Sequence, residues 1–310
     1  FLPMAKCLGL SERINPGLSL TIVAYFDIPP GAVLDGRAAG VSVAVSERND
    51  LERQPVSQRI QWTRSHLYPY ADVLTANSES TVHMLKGLFP EKTVVWQPNK
   101  QSFPSRNLEL NNLGKRIYVV SRLEAQKRID AVISAMDLLR EFGDTPHLVI
   151  YGEGSEEPRL RALASSLNLG VQVEFKVYVP SRDIYKETGM SGIFVTNSEY
   201  EGSSNALHEA VAAGLVPIVA TDVSEMKTIL NTQLASQLPT DGSQEDVADK
   251  LHQLLSFEGA THELHAQILG EFQAYWKRQE HAFRSAIDVL THSVREAHET
   301  RSPGALESVT

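Results

Sequence analysis

What most limits the fold of this sequence is a repeated alternation of short strand-like runs with helix-like stretches, broken once and then restarted. "LTIVAYF" (20–26), "GVSVAV" (40–45), "DVLTAN" (72–77) and "KTVVW" (92–96) read as buried strands, with helical stretches between the second and third and again at 79–89. Strand, helix and strand in succession give βαβ units, and those assemble a parallel sheet. The segment "QPNKQSFPSRNLELNNLGK" (97–115) is polar, holds Pro98 and Pro104 and has no periodicity, so it reads as a linker. Beyond it the pattern returns. "RIYVVS" (116–121), "HLVIYG" (147–152), "VQVEFK" (171–176), "GIFVTN" (192–197) and "VPIVAT" (216–221) are strands, with helices near 128–142, 156–168, 181–188 and 204–213. That is enough for a complete doubly wound domain, in which ligands sit beyond the carboxyl ends of the strands.

A length of 310 residues suits two domains, and 42% hydrophobic residues can supply a core to each. The expected division is 1–97, 98–270, and a carboxyl-terminal helix with a polar tail over 271–310. The net charge is −9 with scattered basic residues, which argues against nucleic acid as a partner and requires anionic ligands to be met locally. A single cysteine, Cys7, rules out an internal disulfide framework and fits a reducing compartment, so the cytoplasm is the expected location. No apolar run reaches the roughly 18 residues that span a bilayer. The start, "FLPMAKCLGL", lacks the charged region and cleavage site of a signal peptide and does not begin with Met, which reads as a processed terminus or a piece of a longer protein.

The chemistry collects at the expected strand ends. "SRLEAQKR" places Arg122 and Lys127 between a strand and a helix start, where a planar fork and a point charge can converge on one polyanion; the same spacing also suits a solvated surface pair. "YGEGSEEPRL" places Gly152 and Gly154 at the next strand end, for close approach of backbone to ligand or for a tight turn. "NSEYEGSSNALHEAVAAGLVPIVATD" (197–222) sets Gly202, Ser203, Ser204, Asn205 and Ala206 before a helix, with Glu201 ahead of it and Glu209 inside it. Ser203, Ser204 or Asn205 can cap that helix, whose first N–H groups and dipole make an anion seat. The two glutamates flank the seat, an arrangement that suits a ligand with phosphate in its middle and hydroxyls at both ends, such as a nucleoside-diphosphate sugar. A capped helix with two exposed glutamates is the structural alternative.

"SRLEAQK", "YGEG" and "EYEGSSNALHEAVAAGLVPIVATD", in this order and spacing, resemble the carboxyl-terminal half of retaining glycosyltransferases of family 4, which have the GT-B fold. The E-x7-E element, here Glu201 to Glu209, is among that family's more specific marks. "AVSERND" (44–50), "RSHLYPYADVLTANS" (64–78) and "WQPN" (96–99) resemble its bacterial surface-polysaccharide branch, and the resemblance covers roughly 18–230. It implies two Rossmann-like α/β domains facing a cleft. Arg122 and Lys127 are then implied to stabilise the departing diphosphate and Glu201 to contact the donor sugar. Backbone groups from Gly202 to Ala206 are implied to hold phosphate and sugar, and Glu209 the ribose. The implied donor is a nucleoside-diphosphate sugar, UDP favoured, and the acceptor a glycan or lipid-linked glycan, with a peripheral contact at the inner face of the cytoplasmic membrane. No cofactor or metal is expected, and no D-x-D occurs in the chain.

The chain also departs from that pattern. A glycine-rich loop and a histidine usual in the family's first domain are not visible, and about 100 residues precede the hinge, so the first domain is expected to be incomplete. Ser46, Glu47, Arg48 and Asn49 are the remaining acceptor-side candidates, although "SERND" equally suits a structural turn held by a salt bridge. "KVYVP" puts Val177 and Tyr178 where a glycine commonly borders the base pocket. Three other readings stand beside the transferase: a donor-binding but inactive fragment or regulatory subunit, a glycosidase using Glu201 and Glu209 as its pair, and an epimerase of the same architecture.

Overall fold

The computed structural model describes residues 20–24, 33–34, 42–48, 50–51, 54, 57–99, 115–178, 183–184, 192–220, 229, 239–256 and 261–301. Cys7, Asn49, most of the expected linker and most of the expected helix at 181–188 lie outside these residues, as does the end of the polar tail. The chain divides into two compact units, 1–100 with 277–310, and 101–276.

In the first unit, β1 (Leu20–Ala24), β2 (Ser42–Glu47), β3 (Val73–Ala76) and β4 (Thr93–Trp96) pair in parallel in the order β1-β2-β3-β4. Helix α1 (Gln58–Leu67) stands between β2 and β3, and α2 (Glu79–Leu88) between β3 and β4. Serines start both helices: Ser57 accepts from the Ile60 N–H and Ser78 from the Thr81 N–H. All six residues of β2 are buried, because the sheet is covered on both faces. Val43 and Val45 join Tyr68, Leu74 and Leu85 on one side, while Ala44 and Val73 meet Leu290 on the other.

The second unit holds a six-stranded sheet among the described residues, β5 (Arg116–Val120), β6 (His147–Tyr151), β7 (Val173–Lys176), β8 (Ile193–Thr196), β9 (Val216–Ala220) and β10 (Pro239–Thr240). Every pairing is parallel, in the order β10-β9-β8-β5-β6-β7. The chain builds outward from β5 to β7, then returns to build outward from β8 to β10, so the direction of construction reverses between β5 and β8. Helices α3 (Ile129–Leu138), α4 (Glu157–Ser166) and α5 (Asn205–Ala212) follow β5, β6 and β8; α6 (Gln244–Leu255) follows β10. The buried face of α3, Ile129, Val132, Ile133 and Met136, has helical spacing.

Strand β10 is absent from the sequence-based reading, since two residues beside a proline carry no alternation to detect. At the carboxyl end, α7 (Thr261–Arg301) is one helix of 41 residues that takes in the expected helix and part of the expected polar tail, contributing residues to Trp276 to the second unit and from Lys277 onward to the first. No described helix is long and apolar enough to cross a membrane.

Candidate functional site

At the carboxyl ends of β5, β6 and β8 lies a cavity of about 590 Å³, within the roughly 300–1,000 Å³ usual for small-molecule sites. It occupies the switch point of the sheet, and loops after three different strands supply its walls.

The first wall is the loop after β5. Ser121 N–H donates to the Tyr151 carbonyl at 3.1 Å, Leu123 N–H to the Glu153 carbonyl at 2.9 Å, and Glu156 N–H to the Leu123 carbonyl at 2.9 Å. The loops after β5 and β6 thus run side by side, which explains the glycines. A Cβ on Gly152, whose φ is +154°, would stand 1.8 Å from the Ser121 carbonyl oxygen, and one on Gly154 would stand 2.3 Å from that of Leu123. Both are needed for the approach of one backbone to another. Gly152 and Glu153 line the cavity, as does the exposed Arg122, held between the anchored Ser121 and Leu123. Gly154 is not part of the lining.

The second wall joins the turn Ala125–Lys127 to the segment after β8. Glu199 N–H donates to the Gln126 carbonyl at 2.9 Å, Gln126 Nε2 donates to the Tyr200 carbonyl, and Lys127 Nζ donates to Glu201 Oε1. The Lys127 and Glu201 side chains are only 10% and 13% exposed, and both line the cavity. Arg122 and Lys127 thus border one cavity, and Lys127 is also paired with the Glu201 carboxylate there.

The third wall is the start of α5. Ser204, one of the expected capping residues, holds the N-cap position with φ −96° and ψ 99°, and its side chain makes no capping hydrogen bond to the helix. Ser203, Ser204, Asn205, Ala206 and Glu209 line the cavity, so the amino end of the helix, with its positive dipole, borders it. Glu201 and Glu209 stand on either side of that helix start. Gly202 and Val177 are not in the lining. Tyr178 is, with 59% of its surface exposed.

Sequence reasoning missed what anchors α5. His208 is fully buried on the helix, and the indole Nε1 of Trp276 donates to its Nδ1 at 2.9 Å. An indole is only a donor, so Nδ1 is the unprotonated nitrogen and Nε2 carries the proton. Tyr275 stacks on the same imidazole with ring centroids 5.9 Å apart. The partners are 68 positions apart, and no local signal links them.

The acceptor-side candidates belong to the first unit. Glu47 is 0% exposed, and its Oε2 accepts from Tyr68 Oη at 2.9 Å and Arg64 Nε at 3.1 Å. Arg48 donates to the Gln97 carbonyl at 3.1 Å and to Asn99 Oδ1 at 2.7 Å, and burial lowers its pKa. Ser46 is fully buried at the end of β2. Ser46 and Glu47 are thus the last two residues of β2, Glu47 is paired with Arg64 outside the "SERND" segment, and Asn49 lies outside the described residues. Among the described residues no group of three or more His, Cys, Asp or Glu side chains is placed to hold a metal ion.

A family model, glycosyl transferases group 1, matches residues 102–268. The chain is 28% identical over 197 residues to the UDP-N-acetylglucosamine–peptide N-acetylglucosaminyltransferase GtfA subunit of Streptococcus parasanguinis, covering 60% of this chain and 38% of that protein. It is 25% identical over 221 residues to the amylovoran biosynthesis glycosyltransferase AmsK of Erwinia amylovora, covering 67% of this chain and 54% of the relative. The matched part thus spans about half the length of these relatives or less. Among solved structures, the pneumococcal O-GlcNAc transferase GtfA in complex with UDP and GlcNAc is similar with a TM-score of 0.61 and 18% identity, over 92% of this chain and 56% of that one. That likeness shows the fold, the GT-B class expected from the sequence.

Proposed function

The chain belongs to the glycosyl transferases group 1 family, and on that premise we propose that it is a retaining transferase. It moves a hexose or N-acetylhexosamine from a nucleoside-diphosphate sugar, with UDP the favoured nucleotide, to a glycan or lipid-linked acceptor in surface-polysaccharide assembly. The observation that carries the reading is the shared cavity lined by Arg122, Lys127, the start of α5, Glu201 and Glu209.

In this mechanism the bond between the anomeric carbon and the diphosphate oxygen breaks while the acceptor hydroxyl oxygen bonds to that carbon from the same face. The departing phosphate takes the hydroxyl proton. Negative charge grows on the leaving group, and the groups placed to meet it are the Arg122 guanidinium, the Lys127 ammonium and the first N–H groups of α5. Preorganised donors of this kind stabilise developing charge without reorganising, and no step is assigned to a metal. Glu201 accepts from sugar hydroxyls and Glu209 from ribose hydroxyls. The N-acetylglucosaminyl and polysaccharide chemistry named for the relatives supports the choice of donor and pathway class.

Calorimetric titration of the chain with UDP, GDP and ADP in the presence of a chelator tests the reading. Binding of UDP is expected. Binding of none of the three would remove the donor site, and binding without transfer or donor hydrolysis would make the chain a donor-binding subunit instead of an enzyme.

A further inference from the structure

The turn that carries Lys127 ends on Arg128, which has φ +45° and ψ +41°. This left-handed conformation crowds the Cβ of any residue but glycine, so an arginine stays there only if its surroundings hold it. Arg128 Nε donates to the Asn197 carbonyl at 2.9 Å. In return Asn197 Nδ2 donates to the Arg128 carbonyl at 3.2 Å, and also to the Gly242 carbonyl at 3.1 Å. Two residues thereby join three segments: the Lys127 turn, the end of β8 that leads to Glu201, and the turn between β10 and α6.

Gly242 shows how closely the arginine is seated. Its φ is +84°, and a Cβ there would stand 2.2 Å from one terminal guanidinium nitrogen and 2.5 Å from Cζ. The neighbouring Asp241 carboxyl is held below its usual range by hydrogen bonds from Ser243, with the Arg128 charge acting in the same direction.

We propose that Arg128 is a positioning residue, a latch that clamps the Lys127 turn to the end of β8 and so keeps Lys127 and Glu201 matched at the cavity wall. Its functional consequence rests on the nucleotide-sugar reading. Arg128, Asn197 and Gly242 do not line the cavity, so they act through the residues that do. The clamp lies directly beside the Glu199–Gln126 backbone bond and the Lys127–Glu201 pair.

Hydrogen exchange and UDP titration of the whole chain, in the wild type, Arg128→Gly and Arg128→Lys, test this. Glycine removes the guanidinium while relieving the backbone, so its thermal midpoint is expected to hold or rise. The latch predicts that the Glu199 and Lys127 amides nevertheless exchange on the order of tenfold faster, and that UDP affinity drops by about the same factor. Arg128→Lys, which keeps one donor, restores part of both. Unchanged exchange in Arg128→Gly overturns the latch. Faster exchange with undiminished UDP affinity, in a chain that binds UDP, overturns its role at the cavity. A wild type that binds no UDP instead sinks the nucleotide reading, and the exchange data alone then decide whether the clamp exists.

Discussion

The Lys127 ammonium donates to the Glu201 carboxylate across 74 positions of sequence, and this largely buried pair closes one wall of the cavity. Removing one partner leaves a charge short of both water and its counter-ion. Lys127→Met or Glu201→Leu alone should cost roughly 2–3 kcal/mol, below the 3–5 of a fully buried pair because some solvent reaches this one. The double variant should recover most of that stability while transferring no sugar. Denaturant midpoints beside a donor-turnover assay check this, and a double variant as unstable as the singles would sink it.

Glu209 stands half-buried on α5 at the cavity. Glu209→Ala should weaken UDP binding by about tenfold or more, the usual worth of a charge-assisted hydrogen bond. Its melting temperature should stay near that of the wild type. Calorimetric titration reads the first and a thermal scan the second; unchanged affinity would remove the ribose role.

Arg122 is exposed and its backbone is pinned by neighbours on both sides. Arg122→Ala should therefore change stability by no more than about 0.5 kcal/mol. Turnover should fall on the order of 10²–10³, the cost of losing one preorganised donor for a leaving group. Parallel losses of stability and rate would make the side chain structural.

Gly152→Ala places a methyl carbon 1.8 Å from the Ser121 carbonyl oxygen, at a φ of +154°. The two loops must separate to admit it, at an expected cost above about 2 kcal/mol. A denaturation midpoint equal to that of the wild type would show that the loops do not need this approach.

Tyr68 couples the first unit to alkaline pH. Burial raises its phenol pKa, with the Glu47 carboxylate adding to the rise, far above the ordinary value of 10.0. Between the two values the unfolded chain loses a proton that the folded one keeps, so this stability is complete below pH 10 and declines as pH rises past it. The stability difference between wild type and Tyr68→Phe should shrink by about 1.4 kcal/mol per pH unit above that point. A difference independent of pH in alkaline urea titrations would exclude the mechanism.

Much of the second unit is legible in the amino-acid sequence, and the reason is local. Runs such as "RIYVVS" and "HLVIYG" are short, branched and apolar, and they form Arg116–Val120 and His147–Tyr151, within one residue of the expected ends. That Arg122, Lys127, Glu201 and Glu209 line one cavity is also legible, because they lie on the segments that follow strand ends and lead into helices, where backbone donors and charge collect. The glycines mislead only about their reason, since a positive φ and a close neighbour look alike in sequence whether that neighbour is ligand or chain.

By itself the sequence determined the strand and helix alternation, the parallel sheets it requires and the strand ends that bear the polar residues, because each depends on neighbours within a few positions. Only the tertiary structure decided that Lys127 meets Glu201, that Arg128 reaches Asn197, that Trp276 holds His208, and that Arg64 and Tyr68 both bond to Glu47. Those partners are separated by 17 to 74 positions. Whether a buried charge is a ligand's counterpart or the fold's own depends on which distant donor the packing brings within hydrogen-bond range, and no local pattern encodes that distance.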